Sequence, residues 1–337
     1  MSTNDIMVSC RNLGKRYNEI VALSNLNIEI PRGKIFGYIG HNGAGKTTTI
    51  RILAGLLRPT SGQAHIAGVD VIADPTPVKR LVGYMPDSFG VYDQMRVWEY
   101  LDFFGAAFKI PRLKRRDRID HVLAITEAEY MRDRFVDTLS HGMKQRVGIA
   151  RTLMHDPQVL LLDEPANGLD PNARVQMRKL LRKLADGGKT LIVSSHILPE
   201  LAAVCDSVGI IHQGRLKTCG SLQKVLGEIH HDRLVELRGL GVLEAAGLAV
   251  LSSDPRVSHV DAADQDQGIL RFRFKGDDAA MAELLQRLLA SGMKVVTFRE
   301  IPLSLEDAYM AISGIAQEEE TGGPAAPPTP ATGSPPS

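Results

Sequence analysis

The chain has 337 residues, enough for two or three domains with a substantial core, and its 40 basic and 39 acidic side chains leave a formal charge of +1. That balance excludes a global field for nucleic acid, and the scattered cysteines Cys10, Cys205 and Cys219 exclude a zinc cluster or disulfide framework. No stretch approaches the ~20 apolar residues of a membrane helix, and the N-terminal MSTNDIMVSC has no signal-peptide pattern.

Residues 34–39 form a short apolar run fit for a buried strand, and residues 47–57 carry Ile50, Leu53, Ala54 and Leu57 at helical spacing. Between them runs Gly40-His41-Asn42-Gly43-Ala44-Gly45-Lys46-Thr47, a G-x-x-x-x-G-K-T match in strand, loop, helix context, followed by Thr48. Gly40, Gly43 and Gly45 let the backbone turn so that successive N–H groups meet phosphate oxygens at a helix N-terminus. Lys46 is expected to reach the β- and γ-phosphates of ATP and the Thr47 hydroxyl to take one Mg²⁺ position.

Residues 88–156 read as an inserted segment. In a chain only 5% aromatic, Phe89, Tyr92, Trp98, Tyr100, Phe103, Phe104 and Phe108 crowd its start. Leu101, Phe104 and Phe108 sit at helical spacing and are expected in the core; Phe89 and Tyr92 are expected at a partner surface. The basic run Arg112, Lys114, Arg115, Arg116 and Arg118 reads as a solvated helix face. Residues 158–162 are apolar and too short for a helix, so Asp163 and Glu164 are expected at the carboxyl end of a buried parallel strand, where ligands bind in a doubly wound sheet. Asp163 is expected to hold Mg²⁺ and Glu164 to deprotonate the attacking water.

With these stretches and LSHGMKQR (139–146) in hand, the first two-thirds of the chain resembles the ATP-binding subunits of ABC transporters. The resemblance implies that Ser140 and Gly142, matching the LSGGQ signature, close over ATP held by a second subunit. It makes Gly168-Leu169-Asp170 the D-loop, His196 the switch histidine that senses the γ-phosphate, and Tyr17 the aromatic that stacks on adenine, although Tyr17 packed at a strand end is nearly as good a reading. Asp87 stands where many members have Gln; its carboxylate can accept from water and approach Mg²⁺ as the amide oxygen does, but it adds charge, cannot donate and is one methylene shorter, so its contact with the ion is expected to run through water. His141 and Met143 replace the third and fifth signature residues, and the His141 ring is expected to point to solvent.

The resemblance further implies a homodimer or paired ATPase subunits, membrane-spanning permease partners whose coupling helix enters the aromatic region, a peripheral place on the cytoplasmic face, and export of a substrate. A soluble ABC ATPase of translation or DNA repair is the competing class. Against it stand a single cassette, no long heptads and no zinc cysteines. A non-catalytic regulatory subunit conflicts with intact Lys46, Asp163 and Glu164.

Beyond a linker at 221–231 the pattern changes. Strands at 234–237, 257–260, 269–274 and 294–298 alternate with helices at 242–251 and around Met281, Leu284, Leu285, Leu288 and Leu289. The order β-α-β-β-α-β suggests a small ferredoxin-like domain over 232–316. Its two strand arginines, Arg271 and Arg273, lack an aromatic platform for RNA. Residues 317–337, rich in Glu, Pro, Gly and Ala, are expected to form a disordered tail. The expected architecture is an α/β P-loop NTPase of the ABC type over 1–220 with a helical insertion, plus a small C-terminal α+β domain.

Overall fold

Two long strands open the chain: β1 (Ile6–Tyr17) and β2 (Ile20–Pro31) pair antiparallel, with Leu26, Ile28 and Ile30 turned inward while Asn25, Asn27 and Glu29 face out. The computed structural model describes residues 5–88, 90, 94–229, 233–240, 245–264 and 268–301. The chain divides into two units, Met1–Glu228 and Ile229–Ser337.

In the first unit β3 (Ile35–Ile39), buried along its whole length, runs into the loop that opens α1 (Lys46–Leu53). β4 (Ser61–Ile66) and β5 (Val69–Asp70) complete an antiparallel sheet of order β2-β1-β4-β5, and α2 (Pro75–Leu81) leads into β6 (Val82–Met85). The inserted segment is helical: α3 (Val97–Ala107), α4 (Arg112–Ile125), two 3-10 turns and α5 (His141–Leu153). Then follow β7 (Val159–Asp163), α6 (Pro171–Asp186), β8 (Thr190–Ser195), α7 (Leu198–Ala202), β9 (Ser207–His212), β10 (Arg215–Gly220) and α8 (Leu222–Ile229).

A second sheet takes the order β10-β9-β3-β8-β7-β6, with β9, β3, β8, β7 and β6 parallel and β10 antiparallel at the edge. Strands β3, β7 and β8 are buried at every position, which is what runs such as Leu160-Leu161-Leu162 and Leu191-Ile192-Val193 require when both faces of a parallel sheet are covered. Helix α1 packs against β2 and β4 of one sheet and β7 of the other, so the phosphate-loop helix sits in the core between them. Cys10 lies in that core, where burial pushes its thiol up to about 12.

Several expectations are revised. Phe108 is not core: it is 40% exposed and stacks on His155 at a centroid distance of 3.9 Å, while Tyr100, off the expected stripe, is fully buried. The basic run is only partly a solvated face, since Arg115 pairs with Asp102 at 2.6 Å and Arg118 Nε donates to the Met154 carbonyl at 2.9 Å. Helix α8 occupies most of the stretch read as a linker. Phe89, Tyr92 and the tail from residue 317 lie outside the described residues.

The second unit contains β11 (Arg233–Gly239), α9 (Ala245–Ser253), β12 (Val257–Asp264), β13 (Ile269–Phe274), α10 (Asp278–Ala290) and β14 (Val295–Ile301). Its sheet order β12-β13-β11-β14, antiparallel throughout, is the ferredoxin-like arrangement. Val235, Leu237, Leu270, Phe272 and Phe274 face Leu284 and Leu288 of α10, whereas Leu289, expected on the same stripe, is 52% exposed. On the opposite sheet face Glu236 accepts from Arg271 and Arg299 at 3.1 and 2.7 Å.

Among the described residues of this unit, Asp254 is buried more deeply than Glu236. It accepts from the Arg256 guanidinium at 2.8 Å and from Arg287 at 2.6 Å, and the Arg256 hydrogen bonds first of all hold its carboxyl down at about 2. A depressed acid contributes stability that is complete above its unfolded value of 3.8 and is lost as pH falls through about 2. Asp254→Asn is therefore expected to destabilise the second unit by about 2 kcal/mol near neutrality, with the difference from wild type closing as pH falls from 4 toward 2. Hydrogen exchange of the β11 and β13 amides measures this; a gap independent of pH would show that the charge is not what Asp254 contributes.

Candidate active site

The loop after β3 owes its shape to glycine. Gly43 and Gly45 have φ of 84° and 112°, and a Cβ on Gly45 would stand 2.7 Å from the Ala22 carbonyl oxygen. Behind the loop, Thr49 donates its hydroxyl to the Gly45 carbonyl at 3.0 Å and meets the buried Tyr38 hydroxyl at 3.2 Å, so β3 braces the first turn of α1. His41, Asn42, Gly43, Gly45, Lys46, Thr47 and Thr48 line a cleft of about 170 Å³ together with Ala22, Asp87 and Glu164. Gly40 and Ala44 belong to the same loop but do not line the cleft: Ala44 is fully buried, and a Cβ on Gly40 would meet the Ile211 carbonyl oxygen at 2.6 Å. Beside the loop, His41 lies edge-on to His212 at 5.2 Å, where burial foremost and the His41 charge next lower the basicity of His212.

Lys46 is 5% exposed and turns back on the loop, donating to the Gly40 carbonyl and lying 3.2 Å from Glu164 Oε1. Glu164 leaves β7 with φ 51° and is 8% exposed. Its Oε2 accepts from His196 Nδ1 at 2.9 Å and from the His196 backbone N–H at 3.3 Å. The ring proton is thereby assigned to Nδ1, leaving Nε2 toward the open side of a residue whose side chain is 40% exposed.

Asp163, 2% exposed, accepts from the Thr47 hydroxyl at 2.8 Å and from the Ser194 hydroxyl at 2.5 Å. The Glu164 N–H in turn donates to Ser194 Oγ at 3.1 Å. Asp87 is exposed and accepts from Asn167 Nδ2 at 3.3 Å. A hydroxyl and carboxylates are hard oxygen donors that suit Mg²⁺. Among the described residues no three His, Cys, Asp or Glu side chains form a metal cage of their own.

Ser140, Gly142 and Asp170 form a second constellation outside the cleft walls. Ser140 caps α5 by accepting from the Met143 N–H, and Asp170 caps α6 by accepting from the Ala173 N–H at 2.9 Å. Gly142 faces Leu169 and Ala173, and His141, solvent-exposed as expected, also donates from Nε2 to the Asn167 carbonyl at 2.8 Å. Tyr17 ends β1, 43% exposed, with Lys15 Nζ 4.9 Å above its ring. Sequence reasoning missed Ser194 and Asn167. Ser194 could have been found only as a hydroxyl inside an apolar strand two residues before His196.

The family model for ABC transporters matches residues 23–167. The chain is 35% identical, over 91% of its length and 97% of the relative's, to the bacitracin transport ATP-binding protein BcrA of Bacillus licheniformis. It is 31% identical, over 91% and 94%, to the Nod factor export ATP-binding protein I of Ralstonia nicotianae. Among solved structures it resembles cbiO1 from Clostridium perfringens, part of the ABC transporter complex cbiONQ, at 30% identity and TM-score 0.61, covering 66% of this chain and 92% of that one.

Gly45→Ala adds a clash with the Ala22 carbonyl to the cost of positive φ, whereas a Cβ on Gly43 meets nothing within 4 Å. Titration with a fluorescent ATP analogue is expected to show Gly45→Ala weakening binding by at least about tenfold, one factor of ten being about 1.4 kcal/mol, and Gly43→Ala weakening it less. Equal losses would mean that backbone strain alone sets the loop.

Proposed function

The chain belongs to the ATP-binding proteins of ABC transporters, and on that premise we propose that it powers export of a substrate through membrane-spanning permease subunits. It is an ATPase of that family. Relatives named for bacitracin transport and Nod factor export support transport over the translation or DNA-repair alternative. Among the described residues no helix is long and apolar enough to cross a membrane, which fits a subunit that needs a permease partner and docks peripherally on the cytoplasmic face.

The observation that carries the hydrolytic reading is Glu164, a nearly buried carboxylate at the carboxyl end of β7, fixed by His196 and facing Lys46. Nucleotide phosphate draws the Lys46 ammonium away from Glu164, because the phosphates offer it more negative charge than one carboxylate does. Glu164 Oε1, which the Lys46 ammonium faces at 3.2 Å and which accepts no geometrically formed hydrogen bond among the described residues, is then the atom that accepts a proton from water. His196 Nδ1 keeps the other oxygen occupied, so the carboxylate presents one oxygen to water, and its outward Nε2 is placed to meet the γ-phosphate. Thr47 and Asp163 would hold Mg²⁺, which supplies charge neutralisation at the phosphates when bound. Tyr17, at the end of β1, is proposed to stack on the adenine ring.

The constellation around Ser140 and Gly142 supports a composite site. It lies outside the cleft of its own chain and has a capped helix N-terminus, the polarity that receives phosphate. We place it over ATP bound to a second copy or a paired ATPase subunit, with Asp170 at that junction.

Glu164→Gln keeps size but is a far weaker base. It is expected to lower turnover by more than about 100-fold, within the range ascribed to general-base groups, while ATP stays bound and sedimentation in ATP and Mg²⁺ shows a dimer. Turnover within about tenfold of wild type, or about 1.4 kcal/mol of barrier, would assign the base elsewhere. In the same background Ser140→Arg is expected to leave a monomer; a dimer that persists would remove the composite site. Permease coupling is read by isolating the tagged chain from solubilised membranes, where a polytopic membrane protein is expected to accompany it.

A further inference from the structure

Ser194 lies in β8, fully buried, directly after Leu191-Ile192-Val193. A hydroxyl in such a strand needs polar partners, and this one has two that are consecutive in sequence. It donates to Asp163 Oδ1 at 2.5 Å and accepts from the Glu164 N–H at 3.1 Å, while the Ser194 carbonyl accepts the same N–H at 3.2 Å. Both the donor and the acceptor capacity of the hydroxyl are in use. Asp163 stands opposite Ser194 in the β7–β8 register, so the contact is built into the sheet.

We propose that Ser194 is a positioning residue for ATP hydrolysis, its single hydroxyl fixing the Asp163 carboxylate on the metal side and the main chain of Glu164 on the water side. The proposal rests on the ATPase reading above. With Oδ1 held by Ser194 and Oδ2 by Thr47, the Asp163 carboxylate is pinned at both oxygens, so Oδ2 and the Thr47 hydroxyl present a fixed pair of donors. The same serine grips the Glu164 amide exactly where the chain turns into a left-handed conformation, φ 51°, that a residue with a Cβ adopts only under constraint. Packing alone does not call for a hydroxyl here, since the three positions directly before it in β8 are filled by Leu191, Ile192 and Val193.

Removal of an outer partner of a metal ligand typically costs 10–100-fold in metal affinity or activity. The test uses the full-length chain with Ser194→Ala, Ser194→Val and Ser194→Thr; the last two match in shape and differ in the hydroxyl. Mn²⁺ binding in the presence of ATP is read by electron paramagnetic resonance in the Glu164→Gln background, where turnover does not interfere. ATP binding in chelator and steady-state turnover with Glu164 intact complete the set. Alanine and valine are expected to weaken Mn²⁺ binding about tenfold and lower turnover about 10–100-fold, with metal-free ATP affinity within about twofold of wild type and threonine restoring both losses. Mn²⁺ affinity and turnover unchanged in Ser194→Ala, or a threonine variant as impaired as the valine one, would overturn the proposal. A wild-type chain that binds no Mn²⁺ with ATP would instead overturn the ATPase reading on which it rests.

Discussion

Everything at the site depends on the parallel register of three buried strands. Ile39 of β3 stands beside Ser195 of β8, and Ser194 stands beside Asp163 of β7, so the phosphate loop, the histidine turn and the two acidic residues leave the sheet at one level. The ladder hydrogen bonds and the apolar burial of β3, β7 and β8 hold that level, and no loop has to find it. Helix α1, wedged between both sheets, then fixes the direction in which the loop's N–H groups point.

Within this frame Asp163 and Glu164 differ although they are neighbours. Asp163 is the last residue of an extended strand, and both its oxygens are taken by hydroxyls at known positions. Glu164 turns left-handed, a conformation that costs an L-residue on the order of 1–2 kcal/mol, and so swings its carboxylate toward His196 and Lys46. Two adjacent acids thereby reach two separate surroundings by a change of backbone rather than of chemistry.

The phosphate loop, the acidic strand end and the β-α-β-β-α-β order of the second unit were legible because each is a local pattern: glycine spacing, a short apolar run, an alternation of periods. What stayed hidden is long-range. A serine inside Thr190–Ser195 gives no sign that it faces Asp163 until the register of β7 on β8 is known. Helical spacing assigned Phe108 to the core, but its neighbour is His155 at a half-open surface, and Leu289 likewise follows a stripe longer than the core it faces. The His141 ring finds the carbonyl of Asn167, 26 residues away, a contact that no signature comparison carries.

The ion pair between Lys46 and Glu164 has a consequence for how variants of such sites are read. Both side chains are nearly buried, and removing one partner of a buried pair leaves the other as an uncompensated charge. On the proposed reading, truncating Lys46 would remove a phosphate ligand and also leave the Glu164 carboxylate without its counter-charge at the sheet edge. Two effects would then arrive together in one substitution, and their energies would not add with those of changes at Glu164. The Lys46–Glu164 pair is thus an electrically closed circuit between loop and strand, and on the proposed reading ATP would act on it by exchange, its phosphates taking the place of the carboxylate opposite the lysine.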